Sequence, residues 1–149
     1  MPIQVGDKAP HIKTTDFSLA DAKGQPVVLF FFPKADTPGC TKEAQGFSEN
    51  SKKFAKAGAV VLGVSPDKPA ALAKFKEKYN LSFTLLSDVD HTVAEAYGTW
   101  VEKSMYGRTY MGVARTTYLI APDGTVARRW DDVKVNGHAA DVLRAVGEL

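Results

Sequence analysis

The run PVVLFFF, residues 26 to 32, combines β-branched and aromatic side chains with no polar residue among them. A strand with one wet face alternates apolar and polar residues, whereas a strand hidden on both faces has no reason to. The run therefore predicts a central strand, and a chain built on such a strand must supply cover to both sides of a sheet. AVVLGVS (59 to 65) repeats the pattern, and TLLSD (84 to 88) reads as a third, shorter strand. From Cys40 to Ala57, the apolar and small residues Ala44, Phe47, Ser51, Phe54 and Ala55 recur at spacings of three and four, with Gly58 as the stop. That is the pattern of an amphipathic helix. PAALAKFKEKYN (69 to 80) predicts a second helix, so the order is β-α-β-α-β. Beyond it, HTVAEAYG (91 to 98) reads as a short helix, RTTYLIAPDGTVARRW (115 to 130) as two strands joined at PDG, and GHAADVLRAVGEL (137 to 149) as a closing helix. The expected fold is α/β, a central mixed sheet flanked by helices. Residues 99 to 114, TWVEKSMYGRTYMGVA, receive no assignment: they suit a packed loop or one wall of a site.

With 149 residues, 44% hydrophobic and 24% charged, the chain fits one domain spanning 1–149. The formal charge of +2 comes from 19 basic and 17 acidic residues scattered along the length. No basic stripe is present to follow a phosphate backbone, so nucleic acid is not an expected partner. MPIQVGDKAPHIK lacks the apolar centre of a signal peptide, and no apolar run approaches the ~18 residues of a membrane span. One cysteine cannot form an internal disulfide, and a reducing cytoplasm is the expected location. The 3 histidines, His11, His91 and His138, show no ligand spacing, so neither a metal nor another cofactor is expected.

That single cysteine follows the strand and a Pro/Gly-rich turn, PKADTPG, at the mouth of the first helix. Unpaired N–H groups and the positive end of the helix dipole favour a thiolate there. A free cysteine is also, very often, just a small buried hydrophobe. Three neighbours argue for reactivity. Thr37 has a hydroxyl able to cap the helix or bond the sulfur, Gly39 lets a ligand approach the backbone, and Pro33 ends the strand rigidly.

The spacing Pro33-x-x-x-Thr37-x-x-Cys40 in FFPKADTPGCTKEA resembles the active-site signature of the peroxiredoxins, in particular the peroxiredoxin Q or bacterioferritin comigratory protein subgroup. VGDKAPHIKTTD, VVLGVSPDKP, FTLLSDVDHTVAEAYG, EKSMYGRTYMG and RTTYLIAPDG extend the resemblance nearly end to end. It implies a thioredoxin-like fold with an N-terminal β-hairpin, a monomer, and thiol-dependent reduction of hydrogen peroxide and organic hydroperoxides. It also singles out Arg115, at the head of TTYLI, as the fixed positive charge of the site.

The residue types suit that chemistry on physical grounds. A thiolate cleaves O–O by in-line attack on one oxygen while the other leaves with negative charge. Cys40 is the expected nucleophile. The Thr37 hydroxyl can accept from the peroxide and donate toward sulfur, and the Gly39 and Cys40 N–H groups can face the oxygens. Pro33 shields the pocket from water, and the Arg115 fork supports both the thiolate and the departing oxygen. Glu43, one turn past Cys40, suits either an arginine partner or an ordinary first-turn acid. Arg108, Arg128, Arg129 and Arg144 read as solvated charges.

The sequence departs from the subgroup at one point. Many relatives carry a second, resolving cysteine five residues after the first, where this chain has Gln45, and others carry it near Lys76. The expected cycle therefore passes through a Cys40 sulfenic acid, restored by an external thiol such as thioredoxin, glutaredoxin/glutathione or a small thiol. The alternatives are a peroxide-sensing or binding module of the same fold without efficient turnover, and a disulfide oxidoreductase. The latter would want C-x-x-C, but TPGC has Thr37 where the first cysteine should stand.

Overall fold

A computed structural model describes residues 3–14 and 17–149. Its central sheet holds β1 (Val27–Phe31), β2 (Val60–Ser65), β3 (Thr84–Ser87), β6 (Thr116–Ile120) and β7 (Val126–Trp130), in the order β3-β2-β1-β6-β7. β1 pairs parallel with β2 and antiparallel with β6, so the sheet is mixed. As the unbroken apolar run predicts, β1 is buried on both faces. Val28, Phe30 and Phe32 join the core beneath helices α1 (Pro38–Glu49), α2 (Ser51–Lys56), α3 (Pro69–Tyr79) and α5 (His138–Gly147). Val27, Leu29 and Phe31 join the other core with Tyr97, Tyr118 and Ala94 of α4 (Thr92–Ala96). Phe30 stacks on Phe47 at 4.6 Å between centroids. Burying a side chain of this size is worth roughly 1.5–3 kcal/mol.

The helix expected over 40–57 begins earlier and is broken. Thr37 is extended and Pro38, whose ring presets a helical φ, opens α1. Asn50 leaves the helical region (φ −97°, ψ 6°), its side-chain amide donating to the Gly46 carbonyl at 2.8 Å, and α2 follows as a separate helix. The unassigned stretch 99–114 is an antiparallel hairpin, β4 (Trp100–Met105) with β5 (Arg108–Val113), forming its own two-stranded sheet. Tyr106 and Gly107 make the tight turn, both at positive φ (52° and 76°). At the N-terminus, the hairpin implied by the resemblance is present as one antiparallel bridge, Lys13↔Ser18, flanked by the Leu19 N–H to Ile12 carbonyl bond. Thr15 and Asp16, which separate the two bridged segments in sequence, lie outside the described residues.

Register places the site. Phe31 pairs with Thr116, so Arg115 comes level with the end of β1, where the chain turns off toward α1. The β6–β7 pairing is regular up to a bulge between Leu119 and Ile120, at the opposite end of β6.

Candidate active site

The loop from β1 to α1 is fixed at several points. The Ala35 N–H donates to Asp67 Oδ2 at 2.7 Å, and Asp36, in the left-handed region at φ 62°, accepts from the Tyr79 hydroxyl at 2.6 Å and Lys78 Nζ at 2.9 Å. Half-buried Pro33 follows Phe32 directly. Thr37 is the N-cap residue by position, but its hydroxyl caps nothing and does not bond the sulfur as the sequence suggests. It donates to the Lys34 carbonyl at 2.8 Å. That carbonyl, three residues back, takes the hydroxyl's proton and leaves the oxygen's lone pairs as acceptors. The Gly39 and Cys40 N–H groups make no hydrogen bond among the described residues, leaving two donors at the helix mouth.

Cys40 lies in the first turn of α1, 1% exposed. Arg115 bridges the site: Nη2 donates to Cys40 Sγ at 3.3 Å and Nη1 to Glu43 Oε1 at 2.9 Å. The planar guanidinium offers a separate N–H donor to each. Gly39 makes room for it, since a Cβ there would stand 3.2 Å from Nη2. Burial opposes the Arg115 charge, but the Cys40 sulfur and the Glu43 carboxylate outweigh it and hold Arg115 above its ordinary value.

Glu43 is thus an arginine partner, the first of its two sequence readings. Its side chain is 1% exposed and Oε2 has no hydrogen-bond partner among the described residues. Burial pushes the carboxyl up to about 7 against the pull of Arg115, the second oxygen having no donor to stabilise its charge.

The remaining arginines stay away from Cys40. Arg108 and Arg144 are exposed, Arg128 lies over Trp130, and Arg129 is half-buried rather than solvated, pairing with Asp131 at 2.7 Å. The histidines form no metal-binding group among the described residues. His138 is a core residue, bonded to the Thr117 hydroxyl at 2.8 Å and packed edge-on against Phe47 and Trp130. Burial lowers it to about 4.

One nearby residue escaped the sequence reading: Lys103 of β4, half-buried, whose ammonium is pushed down by burial and by Arg115 while Cys40 pulls it up. Only the hairpin's pairing could have found it. A thiol held against a fixed guanidinium beside two free N–H donors is equipped to react as a thiolate and to receive negative charge on a neighbouring oxygen.

Comparison with known proteins agrees with this arrangement. The AhpC/TSA family matches residues 5–129. A putative peroxiredoxin bcp of Coxiella burnetii is 52% identical over 96% of this chain and 98% of its own length. Among solved structures, a cysteine-to-serine variant of Xylella fastidiosa PrxQ superimposes with a TM-score of 0.90 at 31% identity, covering 99% of this chain and 98% of that one. The Xanthomonas campestris bacterioferritin comigratory protein does so with a TM-score of 0.85 at 39% identity, covering 89% and 84%. The chain belongs to the AhpC/TSA family, among its Bcp and peroxiredoxin Q members.

Proposed function

We propose that the chain is a thiol-dependent peroxidase of one-cysteine form, with Cys40 as nucleophile, Arg115, Thr37 and Pro33 completing the catalytic pocket, and Gly39 and Cys40 supplying backbone donors to the substrate. The observation that carries the reading is the Arg115 fork, bonded to the Cys40 sulfur and to Glu43 at once. The kinship to Bcp peroxiredoxins supports the reaction class, and the alkyl peroxide reduction described for the Xanthomonas campestris relative supports organic hydroperoxides alongside hydrogen peroxide.

In the first step the Cys40 thiolate attacks one peroxide oxygen. An S–O bond forms as O–O breaks, and the other oxygen leaves as hydroxide or alkoxide, stabilised by Arg115 and the first-turn N–H groups, then takes a proton from solvent. Thr37, its own proton committed to Lys34, accepts from the peroxide hydroxyl. In the second step an external thiol attacks the sulfenic sulfur, water departs, and a mixed disulfide remains. A further thiol releases Cys40 and carries off the disulfide. Gln45 and Lys76 stand where relatives place resolving cysteines, so the reductant comes from outside: thioredoxin, glutaredoxin/glutathione or a small thiol. The whole chain, 1–149, serves as the one domain. Its lone thiol suits the reducing cytoplasm, and the resemblance supports a monomer.

Peroxide consumption measured with each reductant in parallel tests this, with Cys40→Ser as the blank. Turnover with at least one reductant, a Cys40 sulfenic acid by intact mass after one equivalent of peroxide, and a rate of oxidation slowed roughly 10²–10³-fold by Arg115→Met are the expected results. Sulfenic acid without turnover by any reductant identifies the sensing module instead.

A further inference from the structure

Asp36, just ahead of α1, has a side chain and yet is held at φ 62°. With Ala35 it turns the chain between Lys34 and Thr37, and the Thr37 hydroxyl closes that turn by donating to the Lys34 carbonyl at 2.8 Å. The left-handed region is sparsely used by residues other than glycine, Asp being among the more tolerant, and such a conformation persists where its surroundings over-determine it. Here they do. The Ala35 N–H donates to Asp67 Oδ2 at 2.7 Å, an oxygen that also accepts from the Ser65 hydroxyl at 2.7 Å. One residue on, the last turn of α3 engages both oxygens of Asp36: the Tyr79 hydroxyl donates to Oδ1 at 2.6 Å and Lys78 Nζ to Oδ2 at 2.9 Å. Those two bonds, the tyrosine's first, hold the Asp36 carboxyl below its ordinary value, an anion able to accept from both.

The two partners are unequal. The Lys78 and Asp36 side chains are 59% and 46% exposed, and an ion pair so placed adds little. Tyr79 is the fixed member. Its ring lies edge-on to Phe75 at 5.5 Å between centroids, and Phe75 lies 6.0 Å from Phe32, the residue from which the loop departs. The path from Phe32 through Phe75 and Tyr79 to Asp36 thus closes a ring with the loop itself. A groove of about 640 Å³ opens between Asp36 and the α3 residues Ala71, Phe75 and Lys78, so on that side the carboxylate's bonds span a space that no side chain fills.

We propose that Asp36, gripped by Tyr79, is a positioning residue of the Cys40 site, fixing the turn Lys34–Thr37 and so aiming the Thr37 oxygen at the peroxide. It acts through Thr37, whose proton stays on the Lys34 carbonyl and whose lone pairs are correctly placed only while the turn keeps its shape. The sulfur is held separately, by Arg115 at the head of β6. The grip therefore governs the aim of an acceptor and not the charge of the thiolate. The inference rests on the peroxidase reading above, with Thr37 as the acceptor.

Single-turnover oxidation of the intact reduced protein by hydrogen peroxide, set beside alkylation of the same sulfur by iodoacetamide, separates aim from reactivity. Iodoacetamide needs the thiolate but brings no peroxide hydroxyl for Thr37 to accept from. Tyr79→Phe, which keeps the ring against Phe75 and deletes the hydroxyl, should slow oxidation about threefold to tenfold and leave alkylation unchanged. Asp36→Gly adopts the left-handed φ freely but loses the grip, and should slow oxidation at least as much. Asp36→Asn, which tolerates that φ and keeps an acceptor for Tyr79, should stay within about twofold of the parent. In a Thr37→Val background Tyr79→Phe should bring no further slowing. The proposal is overturned if Tyr79→Phe or Asp36→Gly oxidises at the parent's rate, if oxidation and alkylation fall together, if the Asn variant is as slow as Gly, or if the Tyr79 and Thr37 effects add. A parent whose Cys40 is oxidised no faster than free cysteine is a different failure: it removes the peroxidase reading, and the role of Asp36 with it.

Discussion

Replacing Glu43 by Gln separates what its charge costs the fold from what it does for the site. The carboxyl is buried with one oxygen bonded to Arg115 and the other bare, and burial raises it from the ordinary 4.5 to about 7. A carboxyl raised on folding contributes stability that is fully present below the unfolded value and lost as pH rises through the folded one. At ~1.4 kcal/mol per unit, a rise from 4.5 to about 7 makes ionised Glu43 a burden of roughly 3 kcal/mol above neutrality. Gln keeps the shape and an oxygen for Arg115 Nη1 but never ionises. The stability difference between Glu43→Gln and the parent, from urea unfolding at half-unit steps from pH 4 to 8, should therefore shift in the variant's favour by about 3 kcal/mol, almost all of it between pH 4.5 and 7. Oxidation of Cys40 should move the other way at pH 8, slowing about tenfold as the charge-assisted bond holding Arg115 weakens. Parallel unfolding curves for the two proteins would refute the reasoning, since they mean that Glu43 carries no protonation difference between folded and unfolded chains.

His138 supplies the opposite slope. Burial lowers it to about 4, so its contribution, present above the unfolded value near 6.5, is lost as pH falls toward 4, for roughly 3 kcal/mol in all. Between pH 4.5 and 6.5 the two groups cancel: the contribution to parent stability should be level, Glu43→Gln should weaken with acid and His138→Asn should strengthen, as read by urea midpoints. Gln45→Cys places a second thiol in α1 beside Cys40, five positions on and about 7.5 Å along the axis, too far to bridge in an intact helix. Peroxide should then give a dithiol-reducible internal bridge, resistance to overoxidation and a loss of helical circular dichroism; overoxidation at the parent's rate would mean that the first helix stays closed.

The parts of the molecule written in the sequence are those where one local signal decides. PVVLFFF has no polar residue to offer water, so its burial on both faces was readable, and with it the layering of the fold. Arg115 is singled out by the resemblance to the peroxiredoxins and not by any local signal, and the antiparallel register with β1 is what brings the residue ahead of Thr116 to Cys40. The hairpin was not readable: its turn is Tyr106–Gly107, without the Asn-Gly or Asp-Gly that marks such turns, and its strands are buried at the base and exposed toward a tip where Tyr106 is 97% exposed, which blurs the alternation. Lys103 was lost with it. The break at Asn50 was masked because Phe47 and Phe54 continue the helical spacing through it. Thr37 was identified as a site residue, but its hydroxyl's choice of Lys34 over the sulfur depends on loop geometry that no spacing encodes.

The bulge between Leu119 and Ile120 gives the two ends of β6 unequal freedom to change length. A bulge takes up an extra residue locally, so the turn between β6 and β7 can gain or lose one without moving the pairs from Phe31↔Thr116 inward. At the other end no such slack exists. A one-residue slip of Ala114–Thr116 against β1 would turn every side chain of that stretch to the opposite face and swing Arg115 off the sulfur. A change of length between Ile120 and Val126 therefore acts on that turn's own bonds to Gly6, Asp7, Ala9 and Gly24 and leaves Arg115 in place, while the short join from the hairpin into β6 is the stretch whose length this molecule cannot vary and keep Arg115 on the sulfur.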